Sequence, residues 1–171
     1  GVGLVSSVVD TTNGWQMIHR YWPYEQLVLK SLKNAVKRQA IVYPENWDTS
    51  ILKYIKAIYD WESNFQVGDE PTRWGFQDTQ EYYEKISALP YVRQISVPTL
   101  AIHAEDDPIV PASPLMNGQV FNNPNIITIF TKHGGHGGFV NSIRRGEDLD
   151  RHWAQIRVIE FFRLLEDSPA P

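Results

Sequence analysis

Three short apolar runs predict buried strands along this chain. They extend from Val2 to Val9, from Thr99 to His103 and from Ile126 to Thr131. Their hydrophobic positions are mostly consecutive rather than alternating, which is typical of parallel strands that are covered on both faces. Turn-forming residues follow each run. We therefore expect about three parallel strands.

Between the first and second runs the pattern changes to a helical period. Asp48 or Thr49 can cap a helix there, and residues 79–87 predict a short one. The predicted helical faces consist of Leu27, Val28, Leu32, Ala35 and Val36 in one helix and Ile51, Leu52, Ile55, Ile58 and Tyr59 in the next.

Helices are also predicted around the second and third strands. Ser113 and Pro114 suit a helix start, as a cap and a first-turn proline. A last helix, from about Asp150 to Glu166, has a broad apolar face that can cover a sheet. This order of elements predicts an α/β fold with a parallel sheet. We divide the chain into a core of residues 1–14 and 91–171 and a helical, aromatic-rich insert of residues 15–90.

Composition narrows the possible functions. The 171 residues are 42% hydrophobic and 21% charged, as in an ordinary globular protein, and the net charge of −4 gives no basic surface for nucleic acid. The apolar runs are too short to span a bilayer. The absence of cysteine excludes disulfides and thiolate metal sites, and it favours an intracellular, reducing compartment over secretion. No Walker, dinucleotide-glycine or H-E-x-x-H pattern indicates a cofactor or metal.

Candidate chemistry lies just after the second and third predicted strands. Asp107 follows the second, and the segment from Lys132 to Val140 (KHGGHGGFV) follows the third and carries His136. Ligands and catalytic groups gather at the carboxyl ends of parallel strands. An aspartate held there can accept the ring N–H of a histidine and leave the other nitrogen as a base. The alternative is a glycine-rich turn with an incidental histidine and aspartates that satisfy turn backbone groups.

Three neighbouring residues allow several interpretations. Asp106 can face solvent or cap the turn. His133 can position His136 or ligate a metal, although a turn histidine bonded to backbone is commoner. His103 lies inside a predicted strand and suits a core residue whose ring nitrogens are hydrogen-bonded.

The sequence V-P-T-L-A-I-H-A-E-D-D-P-I-V-P, followed by H-G-G-H-G-G-F-V, resembles the end of the α/β-hydrolase fold. Within that fold it resembles the embryogenesis-associated, YheT-like branch of abhydrolase-domain proteins. The resemblance implies a serine hydrolase of the esterase or lipase type that acts on small acyl esters. It also implies that Asp107 is the triad acid, that His136 is the triad base, and that the aromatic insert is a cap over the acyl pocket.

The nucleophile of that family is missing from the sequence. The nucleophile elbow reads G-x-S-x-G, and no serine here lies in that pattern. Ser6 and Ser7 belong to the first apolar run and have no flanking glycines at that spacing. We therefore expect the C-terminal half of the fold, inactive alone. Its partner would be a serine-bearing N-terminal half, in the same precursor or another chain, paired along the strand from Val2 to Val9. The alternative is a non-catalytic structural or interaction subunit of a larger assembly.

Overall fold

A three-stranded parallel sheet organises one of the two units into which the chain divides. The computed structural model describes residues 1–12, 14–68, 74–140 and 151–167. The first unit comprises Gly1–Val9 and Ala88–Pro171, and the second comprises Asp10–Ser87. The strands of the first unit are β1 (Val2–Val5), β2 (Thr99–Ala104) and β3 (Ile126–Thr131). The predicted α/β class, with three parallel strands and flanking helices, is confirmed.

The strands lie in the order β1-β2-β3, with β2 at the centre. Val5 is paired with Ile102, and Ala104 is paired with Thr131. Because all three strands are parallel, their carboxyl ends lie along one edge of the sheet. The segments after β2 and β3 therefore start side by side.

The first strand is shorter than the sequence predicts. It ends at Val5, because Ser6 adopts a left-handed backbone with φ of 50°, which a strand cannot continue. The prediction of a strand to Val9 is therefore wrong. Val9 is instead buried in a cluster on one face of the sheet. A run of consecutive apolar residues does not show where a strand stops and buried loop begins.

Both faces of the sheet are covered within the first unit. One face packs against α6 (Trp153–Glu166), with Leu100, Ile102 and Phe161 in its core. Contact is close at Gly3, where a Cβ would lie 2.5 Å from Val158. The other face has a cluster of Val9, Val92, Ala101, Leu115 and Val120. The two layers explain why the strands are apolar at successive positions.

Short helices support that second cluster. They are α5 (Gly118–Phe121) and the 3-10 helices Leu89–Gln94 and Ser113–Met116. The predicted Ser113 cap is wrong, since the N-cap position is Ala112 and no side chain caps this helix. Asp150, the predicted start of the last helix, lies outside the described residues.

The second unit is helical in its described part. Its helices are α1 (Gly14–His19), α2 (Trp22–Val42), α3 (Ile58–Phe65), α4 (Thr79–Ile86) and the 3-10 helices Pro44–Asn46 and Thr49–Lys53. Seven buried residues form its core: Leu29, Val36, Leu52, Ile55, Ile58, Trp61 and Phe65. In the described ranges, no helix is both long enough and apolar enough to cross a bilayer.

The single helix predicted across residues 51–59 is wrong. Asp48 accepts the N–H of Ser50 and starts only the 3-10 helix Thr49–Lys53. The Asp60 carboxylate then accepts the N–H groups of Lys56 and Ala57, at 2.8 and 3.0 Å, and starts α3 at Ile58. Two separate caps therefore divide one apolar face between two helices.

Candidate active site

Asp107 is held in a tight turn just after β2. Its Oδ1 accepts the backbone N–H groups of Ile109 and Val110, each at 2.9 Å, and its side chain is fully buried. Burial alone would raise the pKa of Asp107. The hydrogen bonds from Val110, Ile109 and His136 together outweigh that effect and hold the pKa below its ordinary range. The residue is therefore a buried carboxylate with a fixed direction.

His136 lies against that carboxylate from the loop after β3. Its Nδ1 is 3.1 Å from Asp107 Oδ2, and its ring is 41% exposed. An ionised carboxylate only accepts hydrogen bonds, so Nδ1 carries the hydrogen and Nε2 is left bare. The structure thus brings together the two residues that the sequence selects, in the orientation that a general base requires.

The glycines around His136 allow its loop to bend. Gly137 has φ of 76°, a left-handed conformation that glycine adopts without strain. Gly134 is needed for space, since a Cβ there would lie 2.7 Å from the buried ring of Phe139. Phe139 in turn stacks near Trp153, with ring centroids 6.3 Å apart. The loop therefore packs on the Phe139 ring and turns sharply beside His136.

Asp106 fastens the same loop from the other side. Its Oδ1 accepts the N–H groups of Gly134 and Gly135, both at 2.9 Å, and its Oδ2 lies 3.1 Å from His133 Nδ1. The Gly135 N–H, with help from His133 and Gly134, holds the pKa of Asp106 below its ordinary range. Asp106 therefore caps a turn, but it is the histidine loop after β3 rather than its own. The His133 ring is hydrogen-bonded to the Asp106 side chain rather than to the backbone, and it is 89% exposed.

Ser6 belongs to the site in a way that the sequence does not indicate. Its hydroxyl accepts the N–H of Gly137 at 3.0 Å, so the end of β1 supports the residue after His136. The residue is buried and has φ of 50°. These two partners are 131 positions apart. The available signal was a polar pair, Ser6 and Ser7, interrupting an apolar run at a predicted strand end.

His103 is buried beneath Asp107 on β2. Its Nε2 lies 2.9 Å from the Val110 carbonyl oxygen and 3.7 Å from Asp107 Oδ2. Its Nδ1 is buried and has no hydrogen-bond partner among the described residues. The expectation of a core histidine holds for its burial, but only one of its two ring nitrogens is hydrogen-bonded.

These contacts define an acid–histidine pair and no metal centre in the described ranges. No group of three or more His, Cys, Asp or Glu side chains there is arranged to hold a metal ion. The pair consists of a buried carboxylate and a half-exposed imidazole at the ends of two adjacent parallel strands.

Comparison with known proteins gives the family. The chain is 31% identical to the YheT protein of Escherichia coli over 124 residues, which are 68% of this chain and 34% of that protein. It is 31% identical to human Protein ABHD15 over 85% of this chain and 30% of that protein. It is 37% identical to the zebrafish Monoacylglycerol lipase ABHD2 over 76% of this chain and 32% of that protein.

The chain belongs to the α/β-hydrolase family, and its relatives include YheT and abhydrolase-domain proteins. It spans about a third of the length of these curated relatives. No family model and no solved structure matches it significantly. The predicted resemblance to the YheT-like branch is thereby confirmed.

Proposed function

We propose that this chain supplies the acid and the base of a serine hydrolase that acts on small acyl esters. Asp107 orients His136, and the bare Nε2 of His136 takes the proton of a serine hydroxyl as that oxygen attacks the ester carbonyl. The observation that carries the proposal is the 3.1 Å contact between His136 Nδ1 and the buried Asp107 carboxylate. The name of the zebrafish relative, a monoacylglycerol lipase, supports the substrate class.

In this proposal the serine comes from the N-terminal half of the fold, either in the same precursor or in another polypeptide. Among the described strands, β1 pairs with β2 alone, which leaves its other edge open. Val2, the first residue of β1, is exposed. An open apolar edge favours pairing with a further strand. The family resemblance implies a cap role for the helical, aromatic-rich insert of residues 15–90.

The first test uses the chain by itself. We expect it not to hydrolyse nitrophenyl esters and not to react with a fluorophosphonate probe, because an acid–histidine pair without a nucleophile is only a weak base. Covalent labelling of the chain would contradict the proposal. The Ser6→Ala variant would then show whether labelling occurs at Ser6, whose left-handed φ places it at a strand end.

The second test uses the assembly that an affinity-tagged chain captures from its source. We expect a captured protein with a G-x-S-x-G serine, probe labelling of that serine, and ester hydrolysis that His136→Ala abolishes. His133→Ala is the matched control, because its ring lies in the same loop and is 89% exposed. Full hydrolysis by the His136→Ala assembly would refute the triad assignment.

The alternative is a structural subunit in which the pair is idle. The open edge of β1 favours it equally, since that edge can join any assembly. An assembly that forms through β1 but neither reacts with the probe nor hydrolyses esters would support this alternative. If the chain alone is a monodisperse monomer that melts cooperatively, this result would count against both hypotheses, because each requires a partner along β1.

A further inference from the structure

The position of His103 suggests a role beyond filling the core. The ring is fully buried on β2, and its Nε2 lies 2.9 Å from the Val110 carbonyl oxygen. A carbonyl can only accept, so Nε2 carries the hydrogen and donates it. The tautomer of His103 is therefore set by a backbone group in the turn that holds Asp107.

Val110 connects His103 to the proposed acid. Its N–H donates to Asp107 Oδ1 at 2.9 Å, while its carbonyl accepts from His103. Val110 is itself buried. Removing the imidazole would leave a buried carbonyl without its donor, an arrangement that proteins avoid. Val110, at the end of the turn, is thus hydrogen-bonded to two side chains: its carbonyl to His103 on the central strand, and its N–H to Asp107.

The two histidines near Asp107 differ in exposure and in hydrogen bonding. His103 Nδ1 is buried without a partner among the described residues. The ring of His136 is 41% exposed and donates to Asp107 through Nδ1. Of the two rings, the one that solvent reaches is therefore the one that is hydrogen-bonded to the Asp107 carboxylate.

We propose that His103 is a positioning residue for the acid–histidine pair. It fixes the turn from Asp107 to Val110 so that Asp107 Oδ2 faces His136. This inference rests on the proposed function for its catalytic meaning. Its structural content can be measured in the chain without any hydrolysis.

The first measurement uses the unmodified chain and ¹⁵N NMR of the histidine rings. His103 should show its hydrogen on Nε2, which donates to the Val110 carbonyl. A ring with hydrogen only on Nδ1 would overturn the proposal. This result does not depend on whether any variant folds.

The second measurement compares His103→Gln with His103→Leu. A glutamine amide can present an N–H near the position of Nε2, whereas leucine cannot. We expect Leu to speed amide exchange at Val110 by about tenfold or more and to raise the pKa of Asp107, read from its carboxyl ¹³C shift. Gln should preserve both. The control is Ile102→Val, a buried neighbour on the opposite face of β2, which should change neither.

Two outcomes separate this inference from the proposed function. Unchanged Val110 exchange and an unchanged Asp107 titration in His103→Leu would overturn the positioning role, whether or not an assembly hydrolyses esters. In a hydrolysing assembly, His103→Leu should lower kcat with little change in KM, and Gln should restore kcat. Altered NMR signals without hydrolysis in any assembly would refute the proposed function and leave His103 as the anchor of the turn.

Discussion

Substitutions at Asp107 can separate its structural contacts from its proposed chemistry. In Asp107→Ala the N–H groups of Ile109 and Val110 both lose their acceptor. A buried donor left unpaired costs about 1–3 kcal/mol. Because Val110 is buried and Ile109 is only partly so, we expect a local loss of about 2–4 kcal/mol.

Asp107→Asn should be milder by a predictable amount. The amide oxygen can replace Oδ1 and accept both N–H groups, although a neutral acceptor forms bonds of roughly half the strength. We expect a loss of about 1 kcal/mol for this variant. The amide nitrogen, however, would face His136 Nδ1 in place of Oδ2. Two donors cannot pair, so the hydrogen of the His136 ring must move to Nε2. Nε2 can then no longer accept a proton as a base.

The assay is native-state amide exchange at Ile109 and Val110, followed by NMR, with His136 ¹⁵N shifts recorded on the same samples. Alanine should open the turn more than asparagine does, and asparagine alone should switch the His136 tautomer while the turn stays closed. The amides of β2 serve as an internal reference for global stability. Equal exchange in the two variants would refute the reasoning, since the carboxylate would not be holding the turn.

The low pKa of the Asp107 carboxylate also predicts how the stability of the fold changes with pH. Its pKa is lower in the folded chain than its ordinary value of 3.8. Unfolding at neutral pH therefore loses favourable contacts of the ionised form, and that stabilisation is fully present above the ordinary pKa. It disappears as pH falls through the lower, folded pKa. In Asp107→Asn, the free energy of unfolding should therefore fall less as the pH is lowered through this range.

Two further predictions concern other parts of the chain. Burial raises the pKa of Glu62, which accepts the Tyr83 hydroxyl, to about 7. The folded state therefore favours the protonated form, and this contribution to the second unit is lost as pH rises through about 7; Glu62→Gln should flatten the change in urea midpoint between pH of about 5 and 8. Gly134→Ala should destabilise the first unit by about 1–3 kcal/mol, because its Cβ would meet the Phe139 ring. Gly135→Ala would meet no atom within 4 Å, and its cost should be about 1 kcal/mol, from the left-handed φ alone. Comparable melting temperatures for the two alanine variants would contradict the steric argument.

The sequence predicts the ends of β2 and β3 well because polar turn residues follow both strands at once. It predicts the end of β1 badly because residues 8 and 9 are as apolar as residues 2–5. Burial after a strand and burial within one give the same pattern. Ser6, where the strand stops, has a left-handed φ and accepts the N–H of Gly137, which is 131 positions away. Hydropathy along the chain contains no information about that contact.

In the site, too, some residues could be predicted from the sequence and others could not. Asp107 and His136 could be selected because each follows a strand and has turn residues beside it. The roles of Asp106 and His103 could not, since each depends on a partner brought close by folding. Asp106 reaches Gly134 and Gly135 across two strand ends. His103 donates to a carbonyl that only the turn after β2 places above it. Sequence patterns indicate such residues as polar or buried, but they do not give their acceptors.

The contacts at the strand ends also distinguish what the fold needs from what the chemistry needs. Asp106 and Ser6 accept the backbone N–H groups that close the loop, and Asp107 accepts those that close the turn. None of these bonds involves the His136 ring, which is partly exposed and contacts Asp107 from outside. The backbone bonds that close the loop and the turn are thus made without the imidazole, and the contribution of His136 is its single contact with the Asp107 carboxylate. We therefore expect the loop to stay folded when the His136 ring is removed, so that activity lost in His136→Ala would be lost from the proposed proton-transfer step.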